Sequence, residues 1–198
     1  MSFRIEEKFR FTKSDLILMK DLLYHQGLSC LYPSRLINSC YFDSDDFKSF
    51  HDSDDGSLPR KKIRYRWYNN EENIIKEVKV SSIEGRFKTS TKITDNNFLK
   101  DYKTKLYDKN YGLLNPSVLI KYSREYFSFK NLRITFDTNI SYVDLRRLNR
   151  KTVYDPESVM EIKAPEYISH DYIKKFLSMP SSRFSKYCRA ILLLQKML

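Results

Sequence analysis

The chain has 198 residues, of which 41% are hydrophobic and 15% aromatic, with only 4 Gly and 6 Pro. This length and composition predict a single packed domain over residues 1–198 and argue against a disordered chain. Lys and Arg number 36 against 25 Asp and Glu, so the formal net charge of +11 favours anionic partners: phosphate-rich molecules, nucleic acid or acidic lipid.

The cysteines and the apolar runs indicate the cellular compartment in which the chain is expected. Cys30, Cys40 and Cys188 form neither a CxxC pair nor an even set, which argues against a disulfide framework or a structural zinc site and favours a reducing compartment. The N-terminus begins with charged residues, and the longest apolar run, 190–194, is too short to span a bilayer. We therefore expect a cytoplasmic chain with no membrane span.

The first half of the chain is predicted to form strands that each have one charged face. Residues 3–11 alternate, with Arg4, Glu6, Lys8 and Arg10 on one face. A helix is predicted at 14–27, a strand at 36–42 and a short helix at 44–50. Residues 60–68 alternate again, and the face opposite Ile63, Tyr65 and Trp67 has four cations in a row: Arg60, Lys62, Arg64 and Arg66.

The second half repeats the pattern. Strands are predicted at 74–80 and 86–91, a helix at 96–107 and a turn region at 110–116. The strand at 118–129 places Arg124 between Tyr122 and Tyr126 on one side, and the strand at 132–140 places Arg133, Thr135 and Asp137 together. A strand at 159–163 puts Glu161 and Lys163 on one face, and helices at 169–177 and 184–198 follow.

Charged faces on so many strands have two explanations. Each face can be solvated surface, as in an ordinary antiparallel sheet. The opposite faces are so apolar, however, and the helices so few, that we predict an α+β fold built on a closed antiparallel barrel of about eight strands, whose interior forms a tunnel lined by Arg and Lys. Such a lining requires an anion, and it suits a chain of phosphates. Glu6, Glu77 and Glu161 either neutralise these cations or hold a divalent metal.

Eight short segments resemble the polyphosphate polymerase domain of the vacuolar transporter chaperone complex, within the triphosphate tunnel metalloenzymes. The resemblance extends along nearly the whole chain, through RIEEKF (4–9), YFD (41–43), IRYRWY (63–68), EVK (77–79), SREY (123–126), LRITFDT (132–138), VMEIK (159–163) and FSKY (184–187). It implies transfer of the γ-phosphate of ATP to a growing polyphosphate chain, assisted by Mn²⁺ or Mg²⁺.

The resemblance also implies roles for individual residues. By position, the phosphate ligands are Lys8, Arg64, Arg66, Lys79, Arg124, Arg133 and Lys186, and the five that hold the nucleotide's triphosphate are Arg64, Arg66, Lys79, Arg124 and Arg133. Glu161 is the implied metal-binding carboxylate and Glu6 a second candidate, with Lys88 and Lys163 as further lining residues. The implied partners are ATP or triphosphate, polyphosphate and a membrane protein, with no specific nucleic acid.

Alternatives stay open at two levels. A tripolyphosphatase or nucleoside triphosphatase would use nearly the same residues, and a non-catalytic module that binds polyphosphate or nucleic acid would also be basic. The sequence has neither a GxxxxGK[ST] nor a GxGxxG motif, so no P-loop or dinucleotide site explains nucleotide use. Among single residues, Glu161 also suits an ion pair with a neighbouring Lys, and Lys186 a solvated helix end.

Overall fold

The computed structural model describes residues 4–94, 97–177 and 179–196. Its elements in chain order are β1 (Arg4–Phe11), α1 (Lys13–His25), β2 (Ser29–Asp43), α2 (Lys48–Asp55), β3 (Arg60–Tyr68), β4 (Ile74–Ser82), β5 (Gly85–Ile93), α3 (Phe98–Asp101), β6 (Leu106–Asp108), β7 (Gly112–Phe129), β8 (Leu132–Asp144), β9 (Thr152–Tyr154), β10 (Ser158–Pro165), α4 (His170–Lys174) and α5 (Lys186–Gln195). The α+β class is as predicted.

The strands form one hydrogen-bonded path. Within the described ranges the order is β1-β10-β8-β7-β2-β3-β4-β5, with β6 paired to β7 and β9 to β8. The eight strands of the path match the predicted number, but the path has two end strands, so the prediction of a fully closed barrel is wrong. Part of the reason lies at β1, where the Ser182 N–H donates to the Lys8 carbonyl over 2.8 Å and so occupies an edge group that a closing strand would need.

The chain divides into two compact units, each discontinuous in sequence. Unit 1 comprises the described parts of residues 1–36, 122–140 and 154–184; unit 2 comprises those of 37–121, 141–153 and 185–198. Four of the boundaries fall within β2, β7, β8 and β9, and the fifth lies just before α5. That residues 1–198 make up a single domain stays a prediction.

The core of unit 1 lies on one face of its strands. Alternate residues such as Phe9 of β1, Ile162 of β10 and Phe136 of β8 are buried together with Leu23 of α1. The helix α1 begins after Thr12, whose hydroxyl accepts a hydrogen bond from the Asp15 N–H. Because side chains alternate along a strand, the even residues of β1 and the odd residues of β8 and β10 lie on the other, charged face.

Unit 2 has the same two-faced construction. Ile63, Tyr65 and Trp67 of β3 pack with Ile74 of β4 and Phe98 of α3 in one apolar cluster. The intervening residues of β3 are the predicted cations, so the face predicted for residues 60–68 is confirmed.

The predicted helix at 96–107 is wrong in most of its length. Of its described residues, 97–107, only Phe98–Asp101 are helical, and β6 follows at Leu106–Asp108. The helix ends because Tyr102 adopts a left-handed conformation (φ 59°), in which its ring packs against Phe98 and Trp67. The predicted turn region at 110–116 is likewise mostly strand, since β7 begins at Gly112.

Some predicted boundaries lie outside the described residues, namely 3, 96, 197 and 198. No helix in the described ranges is long and apolar enough to cross a membrane.

Candidate functional site

The charged face of unit 2 is assembled by cross-strand register. Arg64 of β3 pairs with Tyr41 of β2 on one side and Glu77 of β4 on the other. Lys62 pairs with Lys79, which in turn pairs with Lys88 of β5. Directly opposed residues share a face, so the register gathers on one surface the cations predicted from β3, β4 and β5: Lys62, Arg64, Arg66, Lys79 and Lys88.

Glu77 is the anionic centre of this cluster. Its carboxylate lies 2.6 Å from Arg64 Nε, 2.5 Å from Lys88 Nζ and 3.8 Å from Arg66 Nη1, and the residue is only 3% exposed. Burial alone would raise the pKa of Glu77, but the charges of Arg64 and Arg66 outweigh it and lower the pKa to about 2. Glu77 therefore stays ionised, offsets part of the positive charge and fixes the guanidinium groups in place.

Tyr41 reports the strength of the positive field. Its hydroxyl accepts a hydrogen bond from Arg64 Nη1 (2.7 Å), and its ring stacks on Tyr187 with a centroid separation of 4.8 Å. Burial would raise the pKa of Tyr41, yet Arg64, Arg66, Lys79 and Lys62 together lower it to about 8. The Tyr187 hydroxyl donates to Asp43, which also accepts N–H groups at the start of α2.

The start of α5 adds further donors to unit 2. Lys62 Nζ donates to Ser185 Oγ over 2.9 Å, and Ser185 caps α5 by accepting from the Cys188 N–H. Lys186 is the first residue of that helix. A helix N-terminus attracts negative charge, so Lys62 and Lys186 lie where an anion is doubly favoured.

The charged face of unit 1 is assembled in the same way. Lys8 of β1 pairs with Glu161 of β10, which pairs with Thr135 of β8. One step along the same face, Glu6 pairs with Lys163, which pairs with Arg133. This register brings the predicted ligands of these strands together on one surface: Glu6, Lys8, Arg133, Glu161 and Lys163.

Arg124 is fixed by a carboxylate. Its Nε and Nη2 donate to the two oxygens of Asp137 over 2.6 and 2.7 Å, and Nη2 lies 3.7 Å from Glu161 Oε2. Burial would lower the pKa of Arg124, but the adjacent Asp137 charge outweighs it and raises the pKa well above its ordinary value. The guanidinium group is therefore permanently charged and oriented by two hydrogen bonds.

Glu6 and Glu161 lie among cations. Lys8 Nζ is 2.9 Å from Glu6 Oε1, and Lys163 Nζ is 2.9 Å from Glu161 Oε1. Burial and the charge of Glu161 would raise the pKa of Glu6, but Lys8 and Lys163 outweigh them and lower it. The ion pair with a neighbouring Lys that was the alternative interpretation of Glu161 is thus present.

The two carboxylates also suit a divalent metal. They lie on one face of adjacent strands at diagonal positions, and the charge of Glu161 acts to raise the pKa of Glu6, as a neighbouring carboxylate does. Mg²⁺ is commonly bound by one or two carboxylates together with substrate phosphates. No group of three or more His, Cys, Asp or Glu suited to a metal occurs in the described parts of the chain, so a metal held by Glu6 and Glu161 would need oxygens from a ligand or from water.

Two polar atoms of this face have no partner among the residues that the structure describes. These are Arg133 Nε and Thr135 Oγ1, which are buried without a hydrogen bond. Thr135 was placed on this face by its alternation but given no role, because a hydroxyl in a strand carries no signal that distinguishes a ligand from a packing residue.

Asp137 was also given no role, although a signal for it exists. β7 and β8 are joined by Lys130 and Asn131, both with positive φ (46° and 65°), as in a two-residue hairpin turn. Arg124 and Asp137 are equally far from that turn in sequence, so the hairpin sets them opposite each other. A two-residue turn between residues 129 and 132 would therefore have predicted this ion pair.

Solved structures with the same fold are distant in sequence. A candidate adenylate cyclase from Bacillus halodurans superposes with a TM-score of 0.57 at 14% identity, covering 93% of this chain and 94% of that one. A candidate adenylyl cyclase from Hippeastrum, described as having a dominant triphosphatase activity, gives 0.57 at 15% identity, with 96% of each chain covered. A Pyrococcus horikoshii protein gives 0.57 at 13%, covering 94% and 99%.

These neighbours share the fold of the chain. The model of the VTC domain family matches residues 3–195, nearly the whole chain, and the protein therefore belongs to the VTC domain family. No curated protein matches the chain.

Proposed function

We propose that the chain is a polyphosphate polymerase that transfers the γ-phosphate of ATP to the end of a polyphosphate chain. The observation that carries the proposal is the pair of charged strand faces, one in each unit, on which Arg and Lys side chains are held by buried carboxylates in a chain of the VTC family. Oriented cations of this kind match the equatorial oxygens of a transferring phosphoryl group.

Each cluster contributes phosphate ligands in this proposal. In unit 2 these are Arg64, Arg66, Lys79 and Lys186, with Lys88 as a further contact. In unit 1 they are Lys8, Arg124 and Arg133, with Lys163 as a further contact. Arg64, Arg66, Arg124 and Arg133 hold the triphosphate, while Lys8 and Lys79 neutralise charge on the γ-phosphoryl group.

The transfer itself requires little covalent chemistry from the protein. An oxygen of the acceptor phosphate forms a bond to the γ-phosphorus as the bond to the leaving ADP oxygen breaks, and no Ser or Cys nucleophile is needed. A divalent cation, Mn²⁺ or Mg²⁺, held by Glu161 and Glu6, would neutralise phosphate oxygens. A cytoplasmic location, compatible with three free cysteines, and a membrane-protein partner stay part of the proposal.

Incubation with ATP and Mn²⁺, followed by gel electrophoresis stained for polyphosphate, tests this proposal. We expect long polyphosphate in amounts that match the ADP formed. The double variant Arg64→Ala, Arg66→Ala should lower turnover roughly a hundredfold or more, because each removed donor stabilises transferring charge. Full turnover in this variant, with RNA affinity that depends on neither arginine, would contradict the proposal and favour a nucleic-acid-binding module.

A second candidate is a tripolyphosphatase or nucleoside triphosphatase, in which water replaces the phosphate acceptor. It is favoured by the triphosphatase activity described for the Hippeastrum protein, which shares the fold. The same gel separates the two activities, since hydrolysis yields free phosphate and no long polymer.

A further inference from the structure

Thr135 and Arg133 each bury a polar atom that no other described residue satisfies. Within residues 4–94, 97–177 and 179–196, Thr135 Oγ1 and Arg133 Nε have no hydrogen-bond partner, and Thr135 is only 2% exposed. Buried hydroxyl and N–H groups nearly always have a partner, because their desolvation is otherwise uncompensated. Two such atoms, two residues apart on one strand, therefore require an explanation.

Both side chains lie on the charged face of β8. Ile134, between them, belongs to the apolar core of unit 1, so alternation turns Arg133 and Thr135 to the opposite side. Across the strand pair, Thr135 is directly opposite Glu161 and Arg133 directly opposite Lys163. The unsatisfied atoms are thus among the proposed phosphate and metal ligands, not within the apolar core.

We propose that Thr135 is a further phosphate-binding residue, whose hydroxyl donates to the phosphate chain beside Arg133 Nε. This inference rests on the proposed function. Side chains two residues apart on a strand are separated by roughly 6.6 Å, so a phosphate group between them can accept from both. Phosphate oxygens are strong acceptors, and both unsatisfied atoms gain a partner when one binds.

Glu161, the residue directly opposite Thr135, is itself held by two cations. Lys163 Nζ lies 2.9 Å from one carboxylate oxygen of Glu161, and Arg124 Nη2 lies 3.7 Å from the other. A phosphate chain carries several negative charges and competes with a single carboxylate for these cations. Binding therefore exchanges carboxylate contacts of Lys163 and Arg124 for phosphate contacts beside Thr135.

Calorimetric titration with tripolyphosphate, in a metal chelator and at fixed pH, tests the inference. Thr135→Val keeps the side-chain shape and removes the hydroxyl, and it should weaken binding roughly tenfold or more, as expected for a lost hydrogen bond to a charged group. Thr135→Ser keeps the donor and should bind within roughly threefold of the wild type. Thr138→Val makes the same change on the opposite face of β8 and should leave affinity unchanged.

Thermal unfolding of the same variants separates binding from structure. Thr135→Val should have a melting temperature equal to or above that of the wild type, because it removes an unsatisfied buried hydroxyl. A lower melting temperature with unchanged affinity would mean that the hydroxyl is structural, and it would overturn the inference. If the wild type binds tripolyphosphate and Thr135→Val binds it equally well, the inference alone fails; if the wild type does not bind, the proposed function fails with it.

Discussion

Tyr41 shows at the scale of one residue what the unit 2 cluster does to a neighbouring acid. Four cations outweigh the effect of burial and hold its pKa near 8, well below the ordinary value of about 10 for a tyrosine phenol. A phenolate hydrogen-bonded to Arg64 neutralises charge that a phosphate would otherwise use. Ionisation of Tyr41 and binding of phosphate in unit 2 are therefore expected to oppose each other.

The affinity of the wild type for tripolyphosphate should fall as the pH rises from 7 to 9. Because the pKa of Tyr41 is lowered in the folded protein, the phenolate accumulates above pH 8 and stabilises the unliganded protein there. A bound anion favours the protonated phenol instead, so binding at high pH must first restore the proton. If binding restores the ordinary pKa near 10, linkage gives a loss of roughly tenfold at pH 9. Tyr41→Phe should remove this loss of affinity. Both proteins are titrated at each pH and the ratio of their affinities is compared, because ionisation of the ligand affects both affinities equally. Equal pH dependence in the two would contradict the role of Tyr41.

At the scale of the element, the β7–β8 hairpin owes part of its stability to a buried ion pair. Asp137 is completely buried and is bonded to two nitrogens of Arg124. Replacing Asp137 by Ala leaves the mostly buried guanidinium group with only the more distant Glu161 carboxylate at 3.7 Å, and removing one partner of a buried ion pair typically costs about 3–5 kcal/mol. We expect the free energy of unfolding, measured in urea, to fall by this amount.

A matched exposed pair in the same unit provides the control. Arg10 and Glu157 are also joined by two hydrogen bonds, but their side chains are 42% and 25% exposed. Glu157→Ala should cost less than about 1 kcal/mol, since water screens the pair. An Asp137→Ala variant no less stable than Glu157→Ala would show that burial of the Arg124 pair contributes nothing.

The strand faces were predictable because their signal is local. Charged and apolar residues alternate in residues 60–68, which suffices to place Arg64 and Tyr65 on opposite faces of the strand. The strand β3 has the predicted bounds. Register is not local, since it depends on turn geometry and on partners far along the chain, which is why the pairing of Glu77 with Arg64 was not predicted. The failed helix at 96–107 has a similar cause, because tertiary packing of Tyr102 overrides the local helical pattern.

For the whole molecule, the cations behind the net charge of +11 fall into two groups. The clustered cations of each unit are oriented by buried carboxylates, as with Arg64 on Glu77 and Arg124 on Asp137. The remaining cations act as a diffuse field that draws anions to the protein and is screened beyond about 8 Å at physiological salt. We therefore expect selectivity among anions to depend on the clusters, which are the proposed phosphate ligands.

Recognition through phosphates predicts indifference to the nucleotide base. GTP and CTP should compete with ATP with inhibition constants within roughly threefold of each other, since a stacked or hydrogen-bonded base would discriminate by far more. Tripolyphosphate, which has no nucleoside, should compete as well, whereas AMP should fail because it lacks the β- and γ-phosphates that the Arg and Lys side chains are proposed to hold. Competition is measured from ADP release at several ATP concentrations. A preference for ATP over GTP of more than roughly thirtyfold would require a base pocket, and the proposal that the triphosphate alone is recognised would then be wrong.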